Sequence, residues 1–172
     1  MRIFLIGYMC SGKSTVGKRL AKRLNYDFID LDDFFEENFH ISIEDFFEKY
    51  DEDAFRKLEN KLLNDLLKFD NVVISIGGGT PCFYDNMEII KNNDVSIYLK
   101  MNEKSLETRI LNSKKTRPVL KHVKKENLIE FIKKQIKERE EYYLKATYII
   151  KGESVDYDEI EGMLAEGKDK RQ

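Results

Sequence analysis

An octapeptide near the start of the chain combines the residue types that bind phosphate groups. Residues 7–14 read GYMCSGKS and fit the pattern G-x-x-x-x-G-K-[ST]. Glycines let such a loop turn tightly and direct its N–H groups at phosphate oxygens, and the following helix adds the positive end of its dipole. In this pattern Lys13 reaches the terminal phosphates and the Ser14 hydroxyl binds Mg²⁺. The octapeptide therefore predicts a site for a nucleoside triphosphate with magnesium.

Alternating carboxylates follow the second apolar run of the chain. Asp30 and Asp32 stand in the segment FIDLDD, and ligands of open α/β sheets bind beyond the carboxyl ends of the strands. One carboxylate is then expected beside the metal and the other beside the group that accepts phosphate. The alternative is that Asp33, and also Asp32, only cap the next helix. We favour the site role for Asp32 and the capping role for Asp33.

Three glycines at residues 77–79 follow the third apolar run. Bare backbone at the end of a strand lets a ligand approach closely and receive N–H hydrogen bonds. A flexible connector is the alternative, although one glycine is usually enough for a turn. The run therefore favours a second ligand-binding segment.

Two arginines are placed where they could bind an anion. Arg139 lies between Ile136 and Tyr143 on the apolar stripe of a predicted helix, where a guanidinium needs an anionic partner unless the side chain extends to the surface. Arg56 begins a long predicted helix, and a local ion pair with Glu59 is its alternative role. The pattern leaves both roles open for each arginine.

A basic segment at residues 112–125 contains no acidic residue. Its position between two predicted helices is typical of a mobile lid over ATP, from which Arg117 would contact the transferring phosphate. A solvated loop explains most of the lysines, and a nucleic-acid surface is the lesser alternative. The basic residues are Lys114, Lys115, Arg117, Lys121, Lys124 and Lys125.

Short apolar runs alternate with amphipathic stretches along the whole chain. This alternation predicts an α/β fold with a parallel sheet covered on both faces, in a single domain over residues 1–172 whose charged tail, from about residue 167, is loose. Strands are expected at residues 2–6, 28–30, 72–76, 95–99 and 147–150, and helices at 13–24, 53–69, 86–92, 103–111, 126–145 and 156–165.

Composition and missing motifs exclude several classes of protein. Thirty Lys and Arg against 32 Asp and Glu give no general attraction to nucleic acid or anionic lipid. The apolar run at residues 3–6 is too short for a signal peptide, and the two isolated cysteines, Cys10 and Cys82, match a reducing compartment. Neither NKxD nor DxxG of a GTPase is present, and the chain is too compact for a motor or transporter ATPase. We expect a cytoplasmic monomer with small-molecule partners.

Taken in order, these elements resemble the shikimate kinase family over about residues 3–150. The phosphate loop alone is shared with many enzymes, whereas the ordered set with its spacings is far more specific. The matching segments are GYMCSGKST, DLD at residues 30–32, FRKLE at 55–59, GGG at 77–79, TRPVL at 116–120 and REEYY at 139–143.

The resemblance implies a P-loop kinase fold and a defined reaction. The sheet would have five parallel strands in the order 2-3-1-4-5, with a mobile lid. The enzyme would transfer the γ-phosphate of ATP to the 3-hydroxyl of shikimate in aromatic amino-acid (chorismate) biosynthesis. Mg²⁺ would be held by Ser14, with Asp30 assisting through water. The ATP phosphates would contact Cys10, Ser11, Gly12, Lys13, Ser14, Thr15 and the lid residue Arg117.

The resemblance also assigns the acceptor side. Asp32 would hold the acceptor hydroxyls and act as base, and Lys13 and Arg117 would be catalytic with it. Arg56, Gly78 and Arg139 would contact shikimate, with the arginines binding its carboxylate.

Two residues and two alternative functions complete the comparison with this family. Cys10 stands where family members often have glycine, and Arg109 lies near the position of an adenine-stacking arginine. Another P-loop metabolite kinase, such as one resembling gluconate kinase, is the alternative enzyme. A nucleotide-binding regulatory module without turnover is the alternative of another class.

Overall fold

The computed structural model of the protein describes residues 1–113 and 118–169, so the predicted lid arginine, Arg117, lies outside the described residues. Five parallel strands form one sheet in the order β2-β3-β1-β4-β5. This order confirms the predicted sheet, and each strand lies within about one residue of its expected bounds. The strands are β1 (Arg2–Ile6), β2 (Asp27–Asp30), β3 (Val72–Ser75), β4 (Val95–Lys100) and β5 (Tyr148–Lys151).

Helices flank the sheet, and short 3₁₀ turns occur at Thr80–Cys82, Pro118–Leu120 and Lys125–Asn127. Among the described residues, no helix has the length and apolar character needed to span a bilayer. The helices are α1 (Lys13–Leu24), α2 (Leu31–Phe39), α3 (Ile43–Lys49), α4 (Glu52–Leu66), α5 (Asn86–Asn92), α6 (Glu103–Leu111), α7 (Leu128–Tyr143) and α8 (Tyr157–Asp169).

Two differences from the predicted elements concern helices. Helix α8 continues to Asp169, beyond its expected end and into the segment expected to be loose. The sequence patterns did not delimit α2 or α3, which are only 9 and 7 residues long. Local caps define the start of α3 and of the next helix: Ser42 accepts a hydrogen bond from the Asp45 N–H, and Asp51 accepts one from the Ala54 N–H.

Apolar side chains cover both faces of the sheet because alternate residues of a strand point to opposite sides. Phe4 and Ile6 of β1 belong to a core with residues of α2, α4 and α5. Ile3 and Leu5 of the same strand belong to a second core with residues of α1 and α8. Strand β1 therefore contributes side chains to both cores and is buried up to Ile6, its last residue.

The carboxyl ends of three strands meet at one edge of the sheet. In the strand register Leu5 of β1 is opposite Ser75 of β3, and Ser75 is opposite Asp30 of β2. The loop after β1, the carboxylates after β2 and the glycines after β3 therefore leave the sheet side by side, where ligands of such sheets bind.

Helix α1 packs very closely on the sheet at Gly17. A Cβ built on this buried glycine would lie 2.4 Å from Cε2 of Phe28 and 3.1 Å from Cδ1 of Leu5. A contact of 2.4 Å is far inside van der Waals distance, so any side chain would push α1 or the Phe28 ring away. The absence of a side chain at residue 17 therefore sets how close α1 lies to the sheet.

Two helical glycines provide a matched test of this packing. A Cβ on exposed Gly162 of α8 would have no atom within 4 Å, so Gly162→Ala should raise the free energy of unfolding by about 0.5–1 kcal/mol through helix propensity alone. Gly17→Ala has the same propensity gain but should destabilise the protein by about 1–3 kcal/mol through overpacking. Urea unfolding of both variants measures the difference. Equal stabilisation by both substitutions would contradict the role of Gly17.

Candidate active site

The loop after β1 has a backbone conformation that needs glycine at both ends. Gly7 has φ 150°, and a Cβ there would lie 2.9 Å from the Ser11 Oγ and 3.0 Å from the Leu99 carbonyl oxygen. Gly12, with φ 97°, precedes the first residue of α1. The spacing of the two glycines in the motif thus matches two positions where a side chain would be strained.

Cys10 also has a left-handed backbone conformation, with φ 60°. L-residues other than Asn and Asp rarely adopt this region, whereas glycine adopts it without strain. Cysteine in place of the glycine that is frequent at this position therefore has an energetic cost, because a Cβ at residue 10 adds about 1 kcal/mol of local strain. The structure nevertheless accommodates the residue with its side chain partly exposed.

A cavity of about 330 Å³ opens beside this loop, at the start of α1. Most of the residues predicted to bind ATP line it together with Asp30, Asp32 and Arg109, whose Nη1 lies 3.4 Å from the Cys10 carbonyl oxygen. Ser11 does not line the cavity: it is 1% exposed, and its hydroxyl has no hydrogen-bond partner among the residues described. The predicted residues on the cavity wall are Cys10, Gly12, Lys13, Ser14 and Thr15.

The ammonium group of Lys13 is held by the loop itself. Its Nζ donates to the carbonyl oxygens of Gly7 at 2.8 Å and Tyr8 at 2.9 Å, and the residue is 9% exposed. A buried ammonium needs hydrogen-bond acceptors, and phosphate oxygens would replace these carbonyls as stronger, charged partners. Lys13 is thus held beside the first cavity by carbonyl oxygens that an anionic ligand could replace.

Asp30 joins the loop to helix α2. Its Oδ2 accepts a hydrogen bond from the Ser14 hydroxyl at 2.5 Å, and its Oδ1 accepts one from the Asp32 N–H at 3.1 Å. The second bond makes Asp30 the N-cap of α2, so the predicted capping role of Asp33 is wrong. Asp33 lies exposed in the first turn, and Asp32 projects from the same turn towards the cavities.

A second cavity, of about 1160 Å³, adjoins the first. Its walls include all four residues predicted to contact the acceptor, Asp32, Arg56, Gly78 and Arg139. Asp32 lines both cavities and therefore stands where they meet. The other residues common to both cavities are Met9, Gly77 and Gly78.

Helix α3 and the end of the predicted lid close the second cavity from outside. Phe47 and Glu48 of α3 line it, as do residues 118–122. The Lys121 ammonium lies 2.9 Å from the Glu48 carboxylate. This exposed ion pair joins the described end of the lid segment to α3, although such pairs contribute little stability.

Arg56 forms the local ion pair that its sequence context allowed, and it also lies on a cavity wall. Its guanidinium pairs with Glu59 at 2.8 Å and with Glu52 at 3.1 Å, and it lies 4.1 Å from the centre of the Phe83 ring. It also lines the second cavity. The local ion pair therefore exists, and it holds the guanidinium on the cavity wall.

Glu59 is a site residue that sequence reasoning treated only as a partner of Arg56. It is 2% exposed, and its Oε1 accepts a hydrogen bond of 2.6 Å from the Thr80 hydroxyl. A signal was present, because Glu59 interrupts the buried stripe of α4 that Phe55, Leu62 and Leu66 form. A carboxylate on an apolar stripe needs partners, and Arg56 and Thr80 supply them.

Arg139 projects into the cavity from α7 and is held differently. Its guanidinium carbon lies 5.6 Å from the centre of the Tyr8 ring, and no carboxylate among residues 1–113 and 118–169 pairs with it. One helical turn further, the buried Tyr143 hydroxyl donates to the Gly78 carbonyl oxygen at 2.5 Å. Within the described part of the chain, Arg139 is therefore a cation without a carboxylate partner on the wall of a large cavity.

The buried carboxyl of Glu59 makes stability depend on pH. Burial raises its pKa, against the opposing effect of the Arg56 charge. Between the pKa of the unfolded chain and the higher pKa of the folded protein, the native state binds more protons than the unfolded state. The contribution of Glu59 to the free energy of unfolding is therefore complete below the unfolded pKa, and it is lost as pH rises through the folded pKa. We expect the unfolding free energy of the wild type, minus that of Glu59→Gln, to fall as pH rises from about 4 and then to level off.

Urea unfolding of both proteins at a series of pH values measures this difference, in which the titrations common to both proteins cancel. A difference that rises with pH would show that the pairing with Arg56 outweighs burial, and would overturn the prediction.

Known proteins resemble this chain in both sequence and structure. A family model for shikimate kinase matches residues 9–162. A shikimate kinase of Phocaeicola vulgatus is 41% identical over 155 residues, which cover 90% of this chain and 89% of that protein. A crystal structure of shikimate kinase from Bacteroides thetaiotaomicron matches with a TM-score of 0.86 and 39% identity, over 98% of this chain and 97% of that chain. Shikimate kinase from Acinetobacter baumannii in complex with shikimate matches with a TM-score of 0.87 and 29% identity, over 97% of this chain and 94% of that one. The chain belongs to the shikimate kinase family.

Proposed function

We propose that this protein transfers the γ-phosphate of ATP to the 3-hydroxyl of shikimate, giving shikimate 3-phosphate and ADP. The observation that carries the proposal is the junction of two cavities at Asp32, with a phosphate loop on one side and two arginines on the other. This arrangement fits phosphoryl transfer to a small acceptor that is anionic and carries hydroxyl groups. The match to a shikimate kinase in complex with shikimate supports the choice of acceptor.

On the nucleotide side, the loop residues Cys10–Thr15 would surround the phosphates. Lys13 would exchange its carbonyl partners for phosphate oxygens and stabilise the negative charge there. Arg109, whose Nη1 lies 3.4 Å from the Cys10 carbonyl oxygen, would contact the nucleotide beyond the phosphates. The N–H groups at the start of α1 complete the anion site.

A magnesium site fits Ser14 and Asp30. These residues supply a hydroxyl and a carboxylate oxygen within 2.5 Å of each other on the wall of the phosphate cavity. Mg²⁺ favours oxygen ligands and is usually held by one or two protein groups together with substrate phosphates and water. A bound Mg²⁺ would neutralise developing phosphate charge. In the described part of the chain, no group of three or more Asp, Glu, His or Cys side chains forms a separate metal site.

On the acceptor side, Asp32 would align the attacking hydroxyl and accept its proton. Arg56 and Arg139 would bind the acceptor carboxylate, and Gly78 would let the ring approach the backbone closely. Positioning and charge stabilisation would provide most of the rate acceleration, because the transition state of phosphoryl transfer is loose. Arg117, in the lid at residues 112–125, would add a cation at the transferring phosphate, a role supported by the TRPVL segment.

We also propose that the chain acts as a monomer of one domain. Both cavities are lined by residues of this chain, so the arrangement does not require a second copy. Transfer to gluconate or quinate is the alternative, since both are anionic and carry hydroxyl groups.

A coupled ADP-release assay with MgATP tests the function. Shikimate, gluconate and quinate are each offered as acceptor, and we expect substantial ADP release only with shikimate. Turnover with gluconate or quinate in preference to shikimate would overturn the proposed acceptor. A chain that binds MgATP but releases no ADP with any of the three would be the non-catalytic module.

Asp32→Asn should retain nucleotide affinity and lose most turnover. The amide keeps the size of the side chain but cannot accept the hydroxyl proton, and general bases typically contribute about 100-fold or more. Nucleotide titration and steady-state kinetics separate the two effects. Asp33→Asn is the matched control, because this exposed neighbour lines neither cavity, and its activity should equal that of the wild type. Unchanged turnover in Asp32→Asn would remove Asp32 from the mechanism.

Arg139→Lys should weaken the use of shikimate much more than that of ATP. Lysine keeps the charge but loses the two-pronged geometry that fits a carboxylate. We expect shikimate kcat/KM to fall by about 1.5–3 kcal/mol, the scale of a hydrogen bond to a charged group. Thermal melting verifies the fold, and Arg19→Lys on the surface of α1 is the control. Equal losses for ATP and shikimate would show that Arg139 does not bind the acceptor.

A further inference from the structure

The side chain of Tyr8 points away from the phosphates, although the residue belongs to the phosphate loop. Tyr8 is 2% exposed and is not among the residues that line either cavity. Its hydroxyl donates to the Oε1 of Gln135 at 3.0 Å. Burial raises the pKa of Tyr8 to about 12, so this hydroxyl remains a donor at neutral pH. Tyr8 is thus anchored on α7 rather than on the nucleotide side.

Gln135 and Arg139 are one helical turn apart on α7, and both line the acceptor cavity. Tyr8 contacts both residues: the Arg139 guanidinium carbon lies 5.6 Å from the centre of its ring, and the Gln135 amide oxygen accepts the hydrogen bond of its hydroxyl. The ring and its hydroxyl therefore fix the place of two neighbouring positions of the acceptor wall. Met9, the next residue of the loop, lines both cavities.

The two arginines of the acceptor cavity differ in what holds them. Arg56 is held by carboxylates at 2.8 and 3.1 Å, which also offset its charge. Arg139 forms no such pair with the described residues, and the face of an aromatic ring attracts a guanidinium without neutralising it. A long side chain placed before binding loses less conformational entropy when the ligand arrives. Arg139 therefore combines a full charge with a preset position.

We propose that Tyr8 is a positioning residue for the carboxylate of the acceptor, acting through Arg139, although it lies in the nucleotide-binding loop. The proposal rests on the proposed function for its kinetic consequence. It predicts an unusual separation: a substitution inside the phosphate loop that affects the acceptor and spares the nucleotide.

The decisive variants are Tyr8→Leu, which removes the aromatic face, and Tyr8→Phe, which keeps it and removes only the bond to Gln135. Tyr8→Leu should raise the shikimate KM roughly 3- to 10-fold, the range of one cation–π contact, and change the ATP KM by less than about 2-fold. Tyr8→Phe should stay much closer to the wild type on both. If Tyr8→Leu does not fold, Tyr8→Met, which also lacks the ring, replaces it.

A double-mutant comparison separates positioning from a general structural effect. In the Arg139→Lys background the planar guanidinium that lies over the ring is gone, so Tyr8→Leu should add little further rise in shikimate KM. Leu164→Ala, in the core on the other side of the sheet, is the control for lost stability and should leave both KM values unchanged. An equal rise in ATP and shikimate KM, or the same rise in both backgrounds, would overturn the proposal.

A readout independent of activity keeps this test separate from the proposed function. The Nε–Hε NMR signal of Arg139, assigned by its loss in Arg139→Lys, should report a restrained side chain in the wild type and in Tyr8→Phe. The same signal should report a mobile side chain in Tyr8→Leu. If the wild type does not phosphorylate shikimate, the proposed function fails while this measurement still decides the role of Tyr8. An Arg139 signal equally restrained in all three proteins would refute that role.

Discussion

The carboxylate of Asp30 is the group on which both halves of the site depend. One oxygen accepts the Ser14 hydroxyl at the start of α1, and the other accepts the N–H of Asp32 at the start of α2. The Ser14 hydroxyl and the first turn of α2, which carries Asp32, are therefore placed relative to each other through a single side chain. Because Asp30 is the last residue of strand β2, the sheet fixes the position of this carboxylate.

The two guanidinium groups on the wall of the second cavity are held in place by different contacts. The Arg56 side chain is bound by carboxylates, one of which is buried and in turn held by Thr80. Arg139 lies over an aromatic ring and has no carboxylate partner among the described residues. The first arrangement gives a fixed geometry with an offset charge, whereas the second gives a cation that an anionic ligand can neutralise. A carboxylate entering the cavity would therefore gain more from Arg139.

Backbone contacts join the glycine segment to the phosphate loop. A Cβ on Gly78 would lie 3.2 Å from the Met9 nitrogen and 3.4 Å from the Gly7 carbonyl oxygen, and the Tyr143 hydroxyl fixes the Gly78 carbonyl from α7. The segment is therefore packed against the phosphate loop and α7 as well as connecting β3 to α5, and its role in ligand binding stays a prediction. The phosphate loop, the glycine segment and α7 therefore form one contiguous wall.

Features of local origin could be predicted from the sequence alone. The five strands, their parallel arrangement and the phosphate loop follow from apolar runs and from glycine spacing within a few residues, and the ordered motifs identified Asp32, Arg56, Gly78 and Arg139 as neighbours. Contacts between residues far apart in the chain were decided by tertiary packing. The Tyr8 ring meets Arg139 across 131 positions of sequence, and Glu59 becomes a buried carboxylate only where α4 packs against the turn at Thr80. Asp30, rather than Asp33, caps α2 because its backbone is extended at the end of β2 while that of Asp33 is already helical. Residue type and spacing specify local conformation, whereas burial and long-range partners exist only once the helices pack on the sheet.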